Sequence, residues 1–228
     1  MPATGLVGGK VFAADFGSRR SRALGRVASN PGRRDLCGRA RRTRGGASRR
    51  LVCCVAGLEG IKQYEGDLRG HESSKFAVVV SRFNDLVTKA LLDGAVAGLT
   101  RFGVEKENID VVWVPGSFEL PFMAKAMAKS DTYEAVICVG AVIRGSTSHY
   151  DAVVSGATSG AMSASLDSGV PVVFGVLTCD NMEQALDRAG GKLGNKGYEF
   201  AITALEMSST IEQLKEDEKA IGRWGSDV

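Results

Sequence analysis

Residues 76–83 read FAVVVSRF, and residues 85–102 read DLVTKALLDGAVAGLTRF. The first is a β-branched run, the pattern of a strand buried on both faces. The second places Leu86, Ala90, Leu91, Ala95, Leu99 and Phe102 close to helical spacing, so a helix is expected there. Gly103 follows at the position where a helix commonly stops. The same strand-then-helix unit recurs along the chain. Strands are expected at 109–114, 135–143 and 170–177. A second helix is expected at 118–129, entered through Pro115, Gly116 and Ser117, and a third at 150–168, close-packed because it is rich in Ala, Ser and Gly. Asp180 and Glu183 have capping-box spacing and open a fourth, which ends near Ala189, Gly190 and Gly191. A long last helix occupies 196–214. Strands alternating with helices make this an α/β chain with a central parallel four-stranded sheet covered on both faces. In such sheets ligands bind at the carboxyl ends of the strands, so a functional motif here should fall just after a strand.

Outward from this body, the N-terminal part has a different composition. The net charge of +3 over 228 residues conceals an asymmetry. Residues 1–56 hold twelve Arg and one Lys against two Asp, whereas residues 57–228 hold 16 basic and 24 acidic groups. Residues 33–50 read RRDLCGRARRTRGGASRR, with no apolar periodicity. A segment with so little to bury cannot offset its ordering entropy, and residues 1–57 are expected to be disordered. An Arg- and Ser-rich, acid-poor leader matches an organelle transit peptide. A nucleic-acid- or anion-binding arm would use the same Arg, and an idle tail or a misassigned start is a third reading. No apolar h-region stands near the N-terminus, which argues against a secretory signal. LVCCVAG at 51–57 is the expected processing region. Residues 58–74 are expected to form a strand or an extended arm.

Other classes fall away. No run of about 18 apolar residues exists to span a membrane. The five Cys include no C-x-x-C pair and there are only two His, so zinc-ligand spacing is missing. An odd Cys count without a framework also argues against a disulfide-stapled secreted fold. Cys138 and Cys179 are expected as buried small apolar residues in strands. No P-loop and no dinucleotide-binding glycine motif stands where one would be needed.

Four loops pass the strand-end test: SRFN at 81–84, VPGSFELP at 114–121, GAVIRGSTSHYD at 140–151, and FGVLT at 174–178 running into RAGGKLGNKG at 188–197. In the third, Gly145, Ser146 and Thr147 lead from a strand into a helix. Backbone N–H groups, the helix dipole and two hydroxyls favour an anion such as phosphate there. His149 lies at the same helix start and can exchange a proton near neutral pH; a structural or merely exposed His is the plainer reading. Glu119 would accept hydrogen bonds from a polyol, or simply favour a helix N-terminus. Phe83 could stack on a flat heterocycle or fill the core. Arg188 and Lys192 offer a second cationic contact, or a solvated helix end.

Taken together, in this order and spacing over about 130 residues, the four loops resemble lumazine synthases. The resemblance implies a flavodoxin-like three-layer α/β/α sandwich. It implies condensation of 5-amino-6-(D-ribitylamino)uracil with 3,4-dihydroxy-2-butanone 4-phosphate to 6,7-dimethyl-8-ribityllumazine, phosphate and water, with no metal or organic cofactor. It assigns the pyrimidine and ribityl chain to Phe83, Asn84, Ser117, Phe118, Glu119, Ala141, Val142, Ile143, Phe174 and Lys196. It assigns phosphate to Ser146, Thr147 and Arg188, and proton transfer to His149. The family also has Ala where Ser117 stands and Gly-Thr where Gly190-Gly191 stands. Members form pentamers with active sites at subunit interfaces, some packed as icosahedral shells of twelve pentamers. The compact fourth loop favours the 60-mer, with the 58–74 arm joining a neighbour's sheet. Small-molecule substrates and like subunits are then the expected partners, with no nucleic acid and no membrane. A chloroplast location is expected, ahead of the mitochondrion. The rival readings are the archaeal riboflavin synthase, which shares this fold, and a flavin- or lumazine-binding relative without turnover.

Overall fold

The computed structural model describes residues 60–221, with side chains to 217. The expected leader, residues 1–57, lies outside them. Four strands form one parallel sheet: β1 (Phe76–Ser81), β2 (Ile109–Val114), β3 (Ala135–Ile143) and β4 (Val172–Cys179), in the order β2-β1-β3-β4. The helices are α1 (Asp85–Arg101), α2 (Leu120–Ala128), α3 (His149–Ser168), α4 (Met182–Arg188) and α5 (Lys196–Ile221). A short 3₁₀ turn, Lys106–Asn108, precedes β2.

β1 is buried at every residue because helices cover both faces of the sheet. Phe76, Val78 and Val80 point to one face, where they pack with Ile137 and Val139 of β3, Val87, Leu91 and Leu99 of α1, and Ala201, Ala204 and Leu205 of α5. Ala77 and Val79 point to the other, with Val136 and Cys138 of β3 and Leu120, Ala124 and Ala128 of α2. α3 closes that second layer with a stripe of Ala157, Ala161 and Ala164. The result is a three-layer α/β/α sandwich. A right-handed crossover lands on one face when the chain steps left across the sheet and on the other when it steps right. The step from β1 to β2 runs opposite to the steps from β2 to β3 and β3 to β4, which puts α1 across the sheet from α2 and α3.

Several boundaries differ from the sequence reading. α2 begins at Leu120 rather than 118, with Pro121 in its first turn, so Ser117 and Phe118 belong to the preceding turn. α3 begins at His149, one residue early. β4 begins two residues late. Gly169, with φ of 69°, caps α3, and Val170 is still bound to that helix through its carbonyl, which accepts from Ser165 Oγ at 3.1 Å. α4 is capped by Asn181 and not by Asp180: its side chain accepts from Gln184 N at 2.9 Å, and Gln184 Oε1 accepts from Asp180 N at 2.9 Å. After α4 comes an unforeseen hairpin, β5 (Ala189–Gly191) with β6 (Gly194–Asn195), which turns through Lys192 and Leu193 and carries Gly190 and Gly194, both of positive φ, in its strands.

From residue 60 to the start of β1 the chain contains no strand. This segment runs along its own α5. Asp67 N donates to Ser209 Oγ at 3.1 Å and Gln213 Nε2 to Glu65 O at 2.8 Å, while Gly66 lies so close to the Glu206 backbone that no Cβ would fit. Among the described residues, no helix is long and apolar enough to cross a membrane.

Candidate active site

The site follows from where the sheet splits. β1 and β3 are paired only as far as Val80 and Val139, while β3 stays paired with β4 to Ile143 and Cys179. Past Val80 the chain leans the other way: Arg82 N donates to Val114 O at 2.8 Å and Phe83 N to Pro115 O at 3.2 Å. A cleft of about 620 Å³ opens between the diverging strand ends. This is the switch point of a doubly wound sheet, where strand order reverses and ligands bind.

Three loops wall the cleft. Phe83 comes from the first and is 68% exposed although aromatic. Gly116, Ser117, Phe118 and Glu119 come from the second. Ser117 is buried, and its Oγ fits only because Gly140 has no side chain: a Cβ there would stand 2.7 Å away. The Phe118 ring lies on Gly156 of α3, another position where a Cβ would collide. Glu119 occupies the N-cap position of α2 yet makes no side-chain cap bond, so its carboxylate is not consumed by the helix. The third wall is the end of β3, Ala141, Val142 and Ile143, continuing into Gly145, Thr147, His149 and Tyr150.

Residues 145–148 lead into α3, a helix of 20 residues, with an exposed His149 at its first position. Thr147 Oγ1 accepts from His149 N at 3.4 Å, while Ser148 makes no side-chain cap bond. Such a helix start attracts anions through its free N–H groups and dipole. Arg144, just ahead of it, is already engaged. Its guanidinium lies 4.0 Å from the Tyr150 ring centroid and pairs with Asp151 at 3.2 Å and Asp180 at 3.3 Å.

Of the residues expected in the site, Phe83, Ser117, Phe118, Glu119, Ala141, Val142, Ile143, Thr147 and His149 line this one cleft. Five others do not. Ser146 is exposed on the same loop. Asn84 directs its amide to Ala141 O at 2.8 Å. Phe174 stands inside β4 opposite Cys138, within the strand expected at 170–177 as well as the one observed, and so not in the loop that follows it. Arg188 turns back on its own helix, with Nη1 donating to Gln184 O at 3.1 Å. Lys196 is held by Glu199 at 2.7 Å. The exposed Lys192 also lies outside the cleft. The sequence reading overlooked Tyr150, Ala152 and Val153 as cleft residues. Ala152 and Val153, three and four residues beyond His149, share its helix face, and that spacing is the signal that could have found them. A second, more open groove of about 600 Å³ runs between α1 and the start of α5, but its charged lining groups are the carboxylates Asp93 and Glu199, unsuited to phosphate.

A family model described as 6,7-dimethyl-8-ribityllumazine synthase matches residues 73–212, which contain the whole sheet and every wall of the cleft. The chain belongs to the 6,7-dimethyl-8-ribityllumazine synthase family. It is 56% identical over 152 residues to "6,7-dimethyl-8-ribityllumazine synthase, chloroplastic" of Spinacia oleracea, covering 67% of this chain and 68% of the relative. It is 55% identical over 152 residues to the protein of the same name in Arabidopsis thaliana, covering 67% of each chain. It is also 53% identical over 155 residues to the lumazine synthase of Clostridium kluyveri, covering 68% of this chain and 100% of that one. As a lumazine synthase, the enzyme condenses 5-amino-6-(D-ribitylamino)uracil with 3,4-dihydroxy-2-butanone 4-phosphate, a step of riboflavin biosynthesis. Nothing in these matches favours the archaeal riboflavin synthase reading or a relative without turnover.

Proposed function

We propose that the cleft performs this condensation by positioning two substrates and moving protons, with no enzyme nucleophile. The observation that carries the reading is the meeting, at one switch point, of an exposed aromatic ring, an uncommitted carboxylate and a helix start bearing a His. The pyrimidine stacks on Phe83 against the backbone of 141–143. Ser117, Phe118 and Glu119 hold the ribityl chain, with Glu119 accepting from its hydroxyls. The phosphate sits at Ser146 and Thr147 on the start of α3. The pyrimidine's 5-amino group attacks the ketone and loses water to form an imine. Phosphate leaves by elimination, the resulting enol tautomerises to a ketone, and the ribitylamino nitrogen attacks that carbonyl and loses a second water to close the ring. His149 transfers protons in these steps. Most of the rate comes from holding both substrates in register.

Phe174, Arg188 and Lys196 do not line the cleft of their own chain. We assign them to the cleft of a neighbouring copy, Arg188 to the phosphate, Lys196 to the ring region and the Phe174 backbone to the pyrimidine. The working enzyme is then a pentamer or a 60-mer of twelve pentamers. We further propose that residues 1–57 are a transit peptide and that the enzyme works in the plastid. Support comes from the Arg-rich, acid-poor composition and from the "chloroplastic" names of the plant relatives.

Incubating the protein with both substrates should produce lumazine fluorescence, none is expected with either substrate alone, and lumazine supplied by itself should not be converted to riboflavin. His149→Ala should lower kcat about a hundredfold, within the usual worth of a proton-transfer residue, without abolishing turnover. A loss no greater than about twofold with binding unchanged would remove His149 from the mechanism.

A further inference from the structure

The sheet is continued on one side of β1 and interrupted on the other. On the β2 side, backbone bonds persist past the strand through Arg82 and Phe83. On the β3 side they stop at Val80, although β3 itself runs on to Ile143. The end of β3 therefore faces the cleft with no β1 strand beside it. One of its carbonyls, Ala141 O, is met instead by a side chain: Asn84 Nδ2 donates to it at 2.8 Å.

Asn84 is also held firmly at its own end. It is one of two non-glycine residues with positive φ among those described, at φ 60° and ψ 46°. Asn tolerates this left-handed conformation better than most residues. The turn reverses the chain from Phe83 into α1, whose Val87 N and Thr88 N donate to Asn84 O at 2.9 and 3.1 Å. Thr88 Oγ1 donates to Ser81 O at 2.8 Å and locks the other side of the turn.

We propose that Asn84 is a positioning residue: its amide straps the end of β1 to β3 across the cleft and sets the gap between the Phe83 ring and the 141–143 wall. It acts through Ala141 rather than on the substrate, since its amide is engaged and it does not line the cleft. The inference rests on the reading that a flat heterocycle lies between Phe83 and that wall. The strap closes the one gap that the switch point leaves in the sheet, and it leaves the anion loop at 145–148 untouched. Its loss therefore bears on the pyrimidine and not on the phosphate.

Two variants of the full chain separate the amide from the backbone turn. Asn84→Gly keeps the left-handed turn at no steric cost and removes the amide. Asn84→Asp keeps the shape but presents an acceptor where Ala141 O needs a donor. Both should raise KM for the ribitylaminouracil about tenfold, the worth of one partly buried hydrogen bond, while KM for the butanone phosphate changes by less than about twofold. Both should weaken binding of 6,7-dimethyl-8-ribityllumazine about tenfold in a fluorescence titration. Wild-type KM and lumazine affinity in Asn84→Gly would overturn the proposal, leaving Asn84 as a turn residue only. So would an equal rise in both KM values accompanied by a fall in Tm. If the wild-type protein makes no lumazine, the parent reading fails, and the lumazine titration still decides the strap.

Discussion

Cys138 sits at the centre of β3 with no exposed surface, and that burial pushes its thiol up to about 12 from an ordinary 9.0. The folded state thus keeps a proton that the unfolded chain releases above pH 9. This contribution to stability is complete below pH 9 and is lost as pH rises toward 12. Tyr133, raised to about 12 from an ordinary 10.0 by burial and by its hydrogen bond to Asp110, acts in the same sense from pH 10 upward. Urea midpoints should therefore fall above pH 9, and the fall should be shallower in Cys138→Ala. An unchanged alkaline slope in that variant would refute the assignment. The burial of Cys138 was legible in the sequence, because it stands in a continuous apolar run. The exposure of Phe83 was not. An aromatic after a β-branched run reads equally well as core, and only the leftward bonding of Arg82 and Phe83 puts its ring in the cleft.

At the scale of elements, regular periodicity carried the reading and short, polar segments escaped it. Strands β2 and β3 have the bounds expected of them, whereas β4 is displaced because Gly169 and Val170 finish α3 before the strand can begin. Phe174 is mid-strand under either set of bounds, and the displacement instead carries the strand on through Thr178 and Cys179. The α4 cap is a related case. Asp180 and Asn181 are both good caps by type, and geometry selects Asn181. Asn181→Ala should cost about 1 kcal/mol and lower Tm by roughly 2–4 °C, with Asn181→Ser retaining most of the stability. No change in a thermal melt would mean that the cap is dispensable. The hairpin β5–β6 has no apolar pattern at all and rests on two glycines of positive φ, so nothing in its composition announced it.

For the whole molecule, the outer faces of α2 and α3 leave Phe122 80% exposed, Leu166 75% and Met162 61%. Large apolar side chains left open in this way mark surfaces that another molecule covers. Together with a cleft that lacks Phe174, Arg188 and Lys196 of its own chain, this is what a subunit of a larger ring would present. Analytical ultracentrifugation should find a pentamer or a 60-mer. Phe122→Glu should shift the population toward smaller species and lower kcat/KM together with it. A fully active monomer would overturn the shared-site reading. Within one chain, residues 65–67 of the arm bind α5, and Lys62 pairs with Asp217 on the same helix.

The sequence by itself determined the α/β alternation, the two-sided core and the four motifs at strand ends. Each of these depends on local periodicity or on residue type, which a linear reading can see. Tertiary structure alone decided which strand ends diverge. That choice follows from the reversal of crossover direction after β2, which is a property of strand order and not of any segment. It opened the cleft, put Phe83 on one wall and Ala141 on the other, and gave the Asn84 amide a carbonyl to hold across the gap.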